Sequence, residues 1–222
     1  MRITEHSRKI RRNFRESSYF DIQEIRDDLW VFNGVEYDSK NQYRVNDEKE
    51  LKEIINYITK NINPNANLNW LDVSNVENMS YMFWNSQFNG DISKWSIRNV
   101  ENMERMFFHC KFNGDISKWD VRNVKDMSHM FEGSYFNGDI SRWDVSSVKF
   151  MAYMFYLSKF NGDISDWDVS NVRLMEAMFS RSKFNGDIND WNVKSVEKID
   201  YMFSKSPLEG REPYWYRELI RI

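Results

Sequence analysis

From Trp95 to Phe203 the apolar positions of this chain recur on a fixed schedule. In Asp115-Ile116-Ser117-Lys118-Trp119-Asp120-Val121, Trp119 and Val121 alternate with polar neighbours, the period-two pattern of a short strand. Ile116 is out of phase and is expected at a bend entering that strand. In Arg122-Asn123-Val124-Lys125-Asp126-Met127-Ser128-His129-Met130-Phe131 the period changes. Val124, Met127, Met130 and Phe131 are spaced i, i+3, i+6, i+7, one face of a short helix. Asn123, matched elsewhere by Asn75, Asn99, Asn171, Ser147 and Ser195, stands where an N-cap is expected. Phe136-Asn137-Gly138 then closes the unit, with Gly138 expected to supply a backbone conformation that a side chain would penalise.

The unit repeats every 24 residues. Phe-Asn-Gly-Asp-Ile begins at Phe88, Phe112, Phe136, Phe160 and Phe184, and a tryptophan follows at Trp95, Trp119, Trp143, Trp167 and Trp191. Met-Phe pairs recur from Met82-Phe83 to Met202-Phe203, and eleven of the twelve methionines occupy two columns. Counting back 24 from Asn89-Gly90-Asp91-Ile92 lands on Asn65-Ala66-Asn67-Leu68; counting forward from Gly186 and Trp191 lands on Gly210 and Trp215. The array therefore runs from about Asn65 to about Trp215, with atypical end copies, as stacked repeats require. A unit this short cannot bury both faces alone. Stacked copies are expected to align their strands into a narrow parallel sheet backed by Met and Phe.

The motif Phe-Asn-Gly-Asp-Ile-Ser-x-Trp-Asp-Val-Ser-x-Val-x-x-Met-x-x-Met-Phe resembles the BspA-type repeat of the DUF285 family, distantly related to leucine-rich repeats. The resemblance covers about two thirds of the chain. It implies a solenoid, in a family that includes bacterial surface lipoproteins and secreted proteins, with related repeats in protists and large viruses. It brings no shared catalytic residues. The expected fold is α/β: a short leucine-rich-repeat-like solenoid of 24-residue strand-helix repeats over residues 65–222, behind an N-terminal α+β cap over residues 1–64.

The cap has no counterpart at period 24. Leu51, Ile54, Ile55 and Ile58 form an apolar stripe that predicts a helix over Glu48–Lys60, with Asn46 or Asp47 as N-cap. Asn33-Gly34 between apolar runs predicts a β-hairpin with a type I′ turn. The first sixteen residues are basic (Arg2, Arg8, Lys9, Arg11, Arg12, Arg15) and read as a docked helix or as an arm for an anionic surface.

Composition changes this picture little. Apolar residues make up 41% and aromatics 16%, enough for a continuous core, and the net charge of −3 argues against general nucleic-acid affinity. One cysteine, Cys110, cannot form an intramolecular disulfide. Met1-Arg2-Ile3-Thr4-Glu5-His6 is polar with no apolar run behind it, so a cytoplasmic, intracellular location and no membrane association are expected.

No catalytic, metal or cofactor motif stands out, and the chain is expected not to be an enzyme and to need no cofactor. His6, His109 and His129 lack metal-ligand spacing. His109 beside Cys110 is not read as a nucleophile–base pair, and Cys110 takes the place of Ser86, Ser134, Ser158, Ser182 and Ser206 in other copies. The recurring Asp91, Asp115, Asp139, Asp163 and Asp187 give one carboxylate per turn, too few for calcium, and are read as turn chemistry. Specificity is then expected in columns that vary. Asn102, Asp126, Phe150, Leu174 and Lys198 share one column, and the apolar pair adjoins Tyr153, Tyr156 and Leu157. Phe150, Tyr153, Tyr156, Leu157 and Leu174 are the expected partner-binding patch. Lys94, Arg98, Lys118 and Arg122 form an expected basic strip, giving way to Asp166 and Asp190 in the late repeats.

The expected function is a non-enzymatic protein–protein interaction module or scaffold, in one form an intracellular effector or inhibitor encoded by a virus or mobile element. The alternatives are a structural, virion-type assembly protein, for which self-association is expected, and a nucleic-acid binder working through the basic N-terminus.

Overall fold

The structure is a computed structural model, and it describes residues 21–220. The basic N-terminal segment Arg2–Arg15 lies outside the described residues. The described chain opens with an antiparallel meander of β1 (Ile22–Arg26), β2 (Leu29–Phe32) and β3 (Val35–Tyr37). The β2–β3 turn is Asn33-Gly34, both left-handed (φ 50° and 82°), as a type I′ turn requires. Short β4 (Tyr43–Arg44) pairs in parallel with β5 (Leu71–Asp72), tying the meander to the first coil of the array. Between them lies α1, Glu48–Asn61, with Leu51, Ile54, Ile55 and Ile58 buried. Asp47 caps it by accepting from Glu50 N–H at 2.8 Å, and the Glu50 carboxylate accepts from Asn46 N–H at 2.6 Å. This reciprocal pair satisfies donors at the helix start.

The repeats differ from the expected strand-plus-helix unit. Val124–Phe131 is not a helix, and no copy of that segment is. In a helix every amide would bond inside its own segment, four residues back. Here alternate amides leave the coil. Met127, His129, Phe131 and Gly133 donate to Phe150, Ala152, Met154 and Tyr156 of the next coil at 2.8–2.9 Å. The amides between them, on Met130, Glu132 and Ser134, donate three residues back at 3.1–3.2 Å. The segment is a run of tight turns, and left-handed His129 (φ 58°) and Gly133 (φ 60°) aim their N–H groups along the stack. Turns of this kind also place residues three or four apart on one side. That is why Val124, Met127, Met130 and Phe131 read as a helical face.

The expected strand at Trp119–Val121 is also replaced by turns, closed by Trp119 N–H to Ile116 O (3.1 Å) and Val124 N–H to Val121 O (2.9 Å). Parallel pairing occurs elsewhere, in the column Asn78, Asn102, Asp126, Phe150, Leu174, Lys198. The asparagines expected as N-caps reach backward instead. Asn99 and Asn123 donate their Nδ2 to Ser74 O and Arg98 O of the preceding coil, both at 2.7 Å. Gly138 does not have a positive φ. A Cβ there would lie 2.9 Å from the Phe136 ring, so the glycine is needed for space rather than for conformation.

The period of 24 governs every ladder. Each tryptophan of the repeat column donates its Nε1 to a carbonyl 27 residues earlier, from Trp95 to Leu68 O (2.9 Å) through Trp215 to Ile188 O (2.8 Å). Asn113, Asn137, Asn161 and Asn185 each donate a backbone N–H to the side chain of the asparagine one coil before, at 2.7–2.9 Å. Both degenerate ends keep the register: Asn67 bridges to Asp91, and Trp215 occupies the tryptophan column.

Inside the stack, Phe83, Phe107, Phe131, Phe155, Phe179 and Phe203 lie ring over ring at 5.3–5.9 Å. Phe88, Phe112, Phe136, Phe160 and Phe184 form a second column at 5.9–6.3 Å. One core cluster joins both columns to the cap, where Trp30 stacks on Trp70 at 5.5 Å. At the other end α2 (Tyr214–Leu219) lays Tyr216 edge-on against Phe203 at 4.9 Å. No helix among the described residues is long and apolar enough to cross a membrane.

Candidate interaction face

The residue after each left-handed position, Met82, Met106, Met130 or Met154, enters the core. Most of the left-handed residues and those three positions further on are half-buried or exposed and make one outer face, interrupted at buried Ala177 and Ser180. Two columns dominate it. The first runs Tyr81, Arg105, His129, Tyr153, Ala177, Tyr201; the second runs Trp84, Phe108, Glu132, Tyr156, Ser180, Ser204. Because one coil sits directly over the next, like residues touch. Trp84 stacks on Phe108 at 6.2 Å, and His129 stacks on Tyr153 at 4.8 Å with planes 3° apart. Tyr153 meets Tyr156 edge-on at 5.7 Å. Arg105 lies over the Tyr81 ring at 5.5 Å and Lys159 over Tyr135 at 3.8 Å.

The expected patch falls on this face. Phe150 and Leu174 are half-buried neighbours in the bridged column, Tyr153 and Tyr156 are half-buried, and Leu157 is 45% exposed. The sequence reading missed how far the face extends. Trp84 (51% exposed), Tyr135 (49%) and Tyr201 (74%) belong to it, as do Tyr81 and Phe108. The signal was present in the Tyr81 and Trp84 columns, but a helical reading of that segment scatters them around a cylinder. Once the segment is a ladder, they line up.

The expected basic strip is exposed at Lys94, Arg98, Lys118 and Arg122, but it is partly engaged. Lys94 Nζ donates to Ser39 Oγ of the cap at 3.2 Å, and Arg122 Nε pairs with Asp120 at 2.7 Å.

The repeated aspartates make local turns. Asp115, Asp139 and Asp163 each accept from the N–H and hydroxyl of the serine two residues on, at 2.7–3.0 Å. These donors hold all three carboxyls below the usual aspartate range. Among the described residues no group of three or more His, Cys, Asp or Glu is placed to hold a metal ion. Cys110 is buried, donates to Phe88 O at 3.6 Å, and has its thiol pushed up to about 11 by desolvation. It stays protonated at neutral pH. His109 turns outward against Phe108 at 4.5 Å, so the two neighbours face different surroundings.

The model of a family described as "Mycoplasma protein of unknown function, DUF285" matches residues 49–157 and 108–209, two overlapping segments that together span most of the chain. The chain belongs to the DUF285 family. No curated protein and no solved structure matches it. The overlap of the two segments reflects the repeat, since a family model laid on one set of coils fits again further along. The DUF285 match begins inside α1, so the helix that closes the stack is counted with the coils it covers.

Proposed function

We propose that this DUF285 chain is a non-enzymatic binding module, a rigid solenoid that docks another protein on its turn-ladder face. What carries the reading is the recurrence of aromatic side chains on this face, exposed at Trp84 and Tyr201 and half-buried at Tyr81, Phe108, Tyr153 and Tyr156, with buried Ala177 and Ser180 between Tyr156 and Tyr201. Aromatic anchors dominate protein-contact energies, and contiguous exposed apolar surface is uncommon on a monomer without a partner. The backbone beneath them is fixed by bonds within and between coils, so docking would sacrifice little conformational entropy. An effector or inhibitor that blocks its partner's surface is the form of this role needing nothing beyond such a face.

The test compares three tagged proteins as bait: wild type, the face variant Tyr153→Ala/Tyr156→Ala/Leu157→Ser, and the control Asp166→Ala/Asp190→Ala beside the tryptophan column. Captured proteins are quantified, then purified and titrated against each bait. We expect one captured protein to bind wild type and control alike and to lose at least tenfold in affinity for the face variant. Equal affinity for all three baits would end the reading.

A further inference from the structure

The array carries a second surface, chemically unlike the first. One column on it runs Glu77, Glu101, Lys125, Lys149, Arg173, Glu197, so three cations stand on successive coils between carboxylates. The outer two are paired away from the centre. Lys125 Nζ lies 2.6 Å from Glu101, and Arg173 makes a two-pronged pair with Glu197 at 2.7 and 3.0 Å. Lys149, between them, has no carboxylate partner among the described residues.

A notch opens beside Lys149. Two residues before these cations lies the column of backward-reaching asparagines. Asn123 donates to Arg98 O at 2.7 Å and Asn171 to Ser146 O at 2.8 Å. At 147 the asparagine is replaced by serine, too short to repeat that bond. Ser147 makes no side-chain hydrogen bond among the described residues, so its hydroxyl is available. Ser195 breaks the column in the same way two coils on. The result is an open groove of about 650 Å³, lined by the three cations, Glu101 and the serine–asparagine column. Ser146 contributes an oxygen only, since its hydroxyl donates to Asp144 at 2.6 Å.

We propose that this groove is an oxyanion site for a phosphate-class group, centred on the Lys149 ammonium and the Ser147 hydroxyl. Lys125 and Arg173 stand one coil to either side. Both flanking cations already share carboxylates, so the anion's added attraction comes chiefly from Lys149. Free phosphate and a phosphorylated side chain of a partner offer the same group. The proposal is independent of the aromatic face, and either can fail alone.

Inorganic phosphate, and separately an acetylated phosphoserine tripeptide, would be titrated into the isotope-labelled full chain at low ionic strength, followed by amide chemical shifts. Saturable shifts confined to residues around 123–125, 147–149 and 171–173 are expected, with a dissociation constant on the order of 1 mM that weakens with added chloride. Lys149→Gln should weaken binding about tenfold or more. Ser147→Asn is the sharper variant, because it restores the asparagine of the other coils, fills the notch and offers Arg122 O a donor. It should fold at least as well as wild type and bind less. Tighter binding of the tripeptide than of phosphate assigns the site to a phosphorylated partner, and the reverse order assigns it to the free ion. No saturable shift with either probe, or unchanged binding in both variants, overturns the proposal.

Discussion

Left-handed backbone occurs in both halves of this molecule, and for different reasons. In the cap it falls on Asn33 and Gly34, residues that adopt it at little cost, and it closes a two-residue hairpin. In the array it falls on Tyr81, Arg105, Tyr153, Leu157, Ala177, Arg181, Tyr201 and Lys205, which do not favour it. The compensation is visible in the hydrogen bonds. Every left-handed residue from Tyr81 to Arg181 donates its N–H to the following coil, at 2.7–3.1 Å. The cap thus obeys rules that act between near neighbours in sequence. From Tyr81 to Arg181 the array pairs a conformation its residues do not favour with a bond to the next coil, and Tyr201 and Lys205 in the last coil keep the same conformation at the end of the stack.

If the two regions differ in this way, a cut through the stack should be felt by coils and not by α1. Phe131 is fully buried between Phe107 (5.6 Å) and Phe155 (5.8 Å), and its ring also meets Phe136 at 4.4 Å. Phe131→Ala should cost about 4 kcal/mol in denaturant unfolding, the usual range for emptying a packed aromatic site. Hydrogen exchange should accelerate at Met127–Gly133 and in the coils on either side, while the amides of α1 keep their protection. Equal loss of protection in α1 would mean that cap and array open as one cooperative unit.

The converse cut is smaller. Asp47→Ala removes the side chain that accepts from Glu50 N–H and should cost about 1 kcal/mol. Its effect should stay within the first turn of α1, read by exchange at Glu50 and Leu51. Acceleration spreading to the coils beyond Phe83 would show that the cap holds the array's register rather than merely covering its end.

The same division explains what could be read from the residues alone. Asp47, Asn33-Gly34 and the Leu51–Ile58 stripe signal their structure within a few positions, and α1 and the hairpin form as expected. The period of 24 and the burial of Trp, Met and Phe were equally plain, since identity recurring at fixed spacing requires like residues to stack. The inside of one coil was not legible. Val124, Met127, Met130 and Phe131 satisfy a helical period and a run of tight turns equally well. What separates the two is a bond to a residue 23 positions on, which no local window contains. The extent of the aromatic face was hidden for the same reason. Phe150, Tyr153, Tyr156 and Leu157 could be grouped because they are close in sequence, with Leu174 added from the next repeat; Trp84 and Tyr201 lie several coils away.

The finest test of the comparison removes the strain and leaves the ladder bond. Arg181 is exposed, has φ 57° and donates its N–H to Ser204 O at 2.8 Å. An L-residue in this region gives up about 1–2 kcal/mol against the right-handed form, whereas glycine adopts it freely. Glycine also has more freedom to lose on folding, which takes back about 0.5–1 kcal/mol. The difference leaves Arg181→Gly more stable than wild type by about 0.5 kcal/mol. Arg181→Val should move the other way, because a β-branched side chain crowds the same conformation. Gly133, in the same column, already has the residue the backbone prefers. The measurement is the denaturant midpoint at unchanged slope, with Asn33→Gly as the matching change in the cap. Asn33 is already tolerant of the left-handed region, so its replacement should shift the midpoint less than Arg181→Gly does. A cap shift as large as the array shift would mean that the strain is no greater in the stack than in an ordinary hairpin, and the distinction drawn between the two regions would fall.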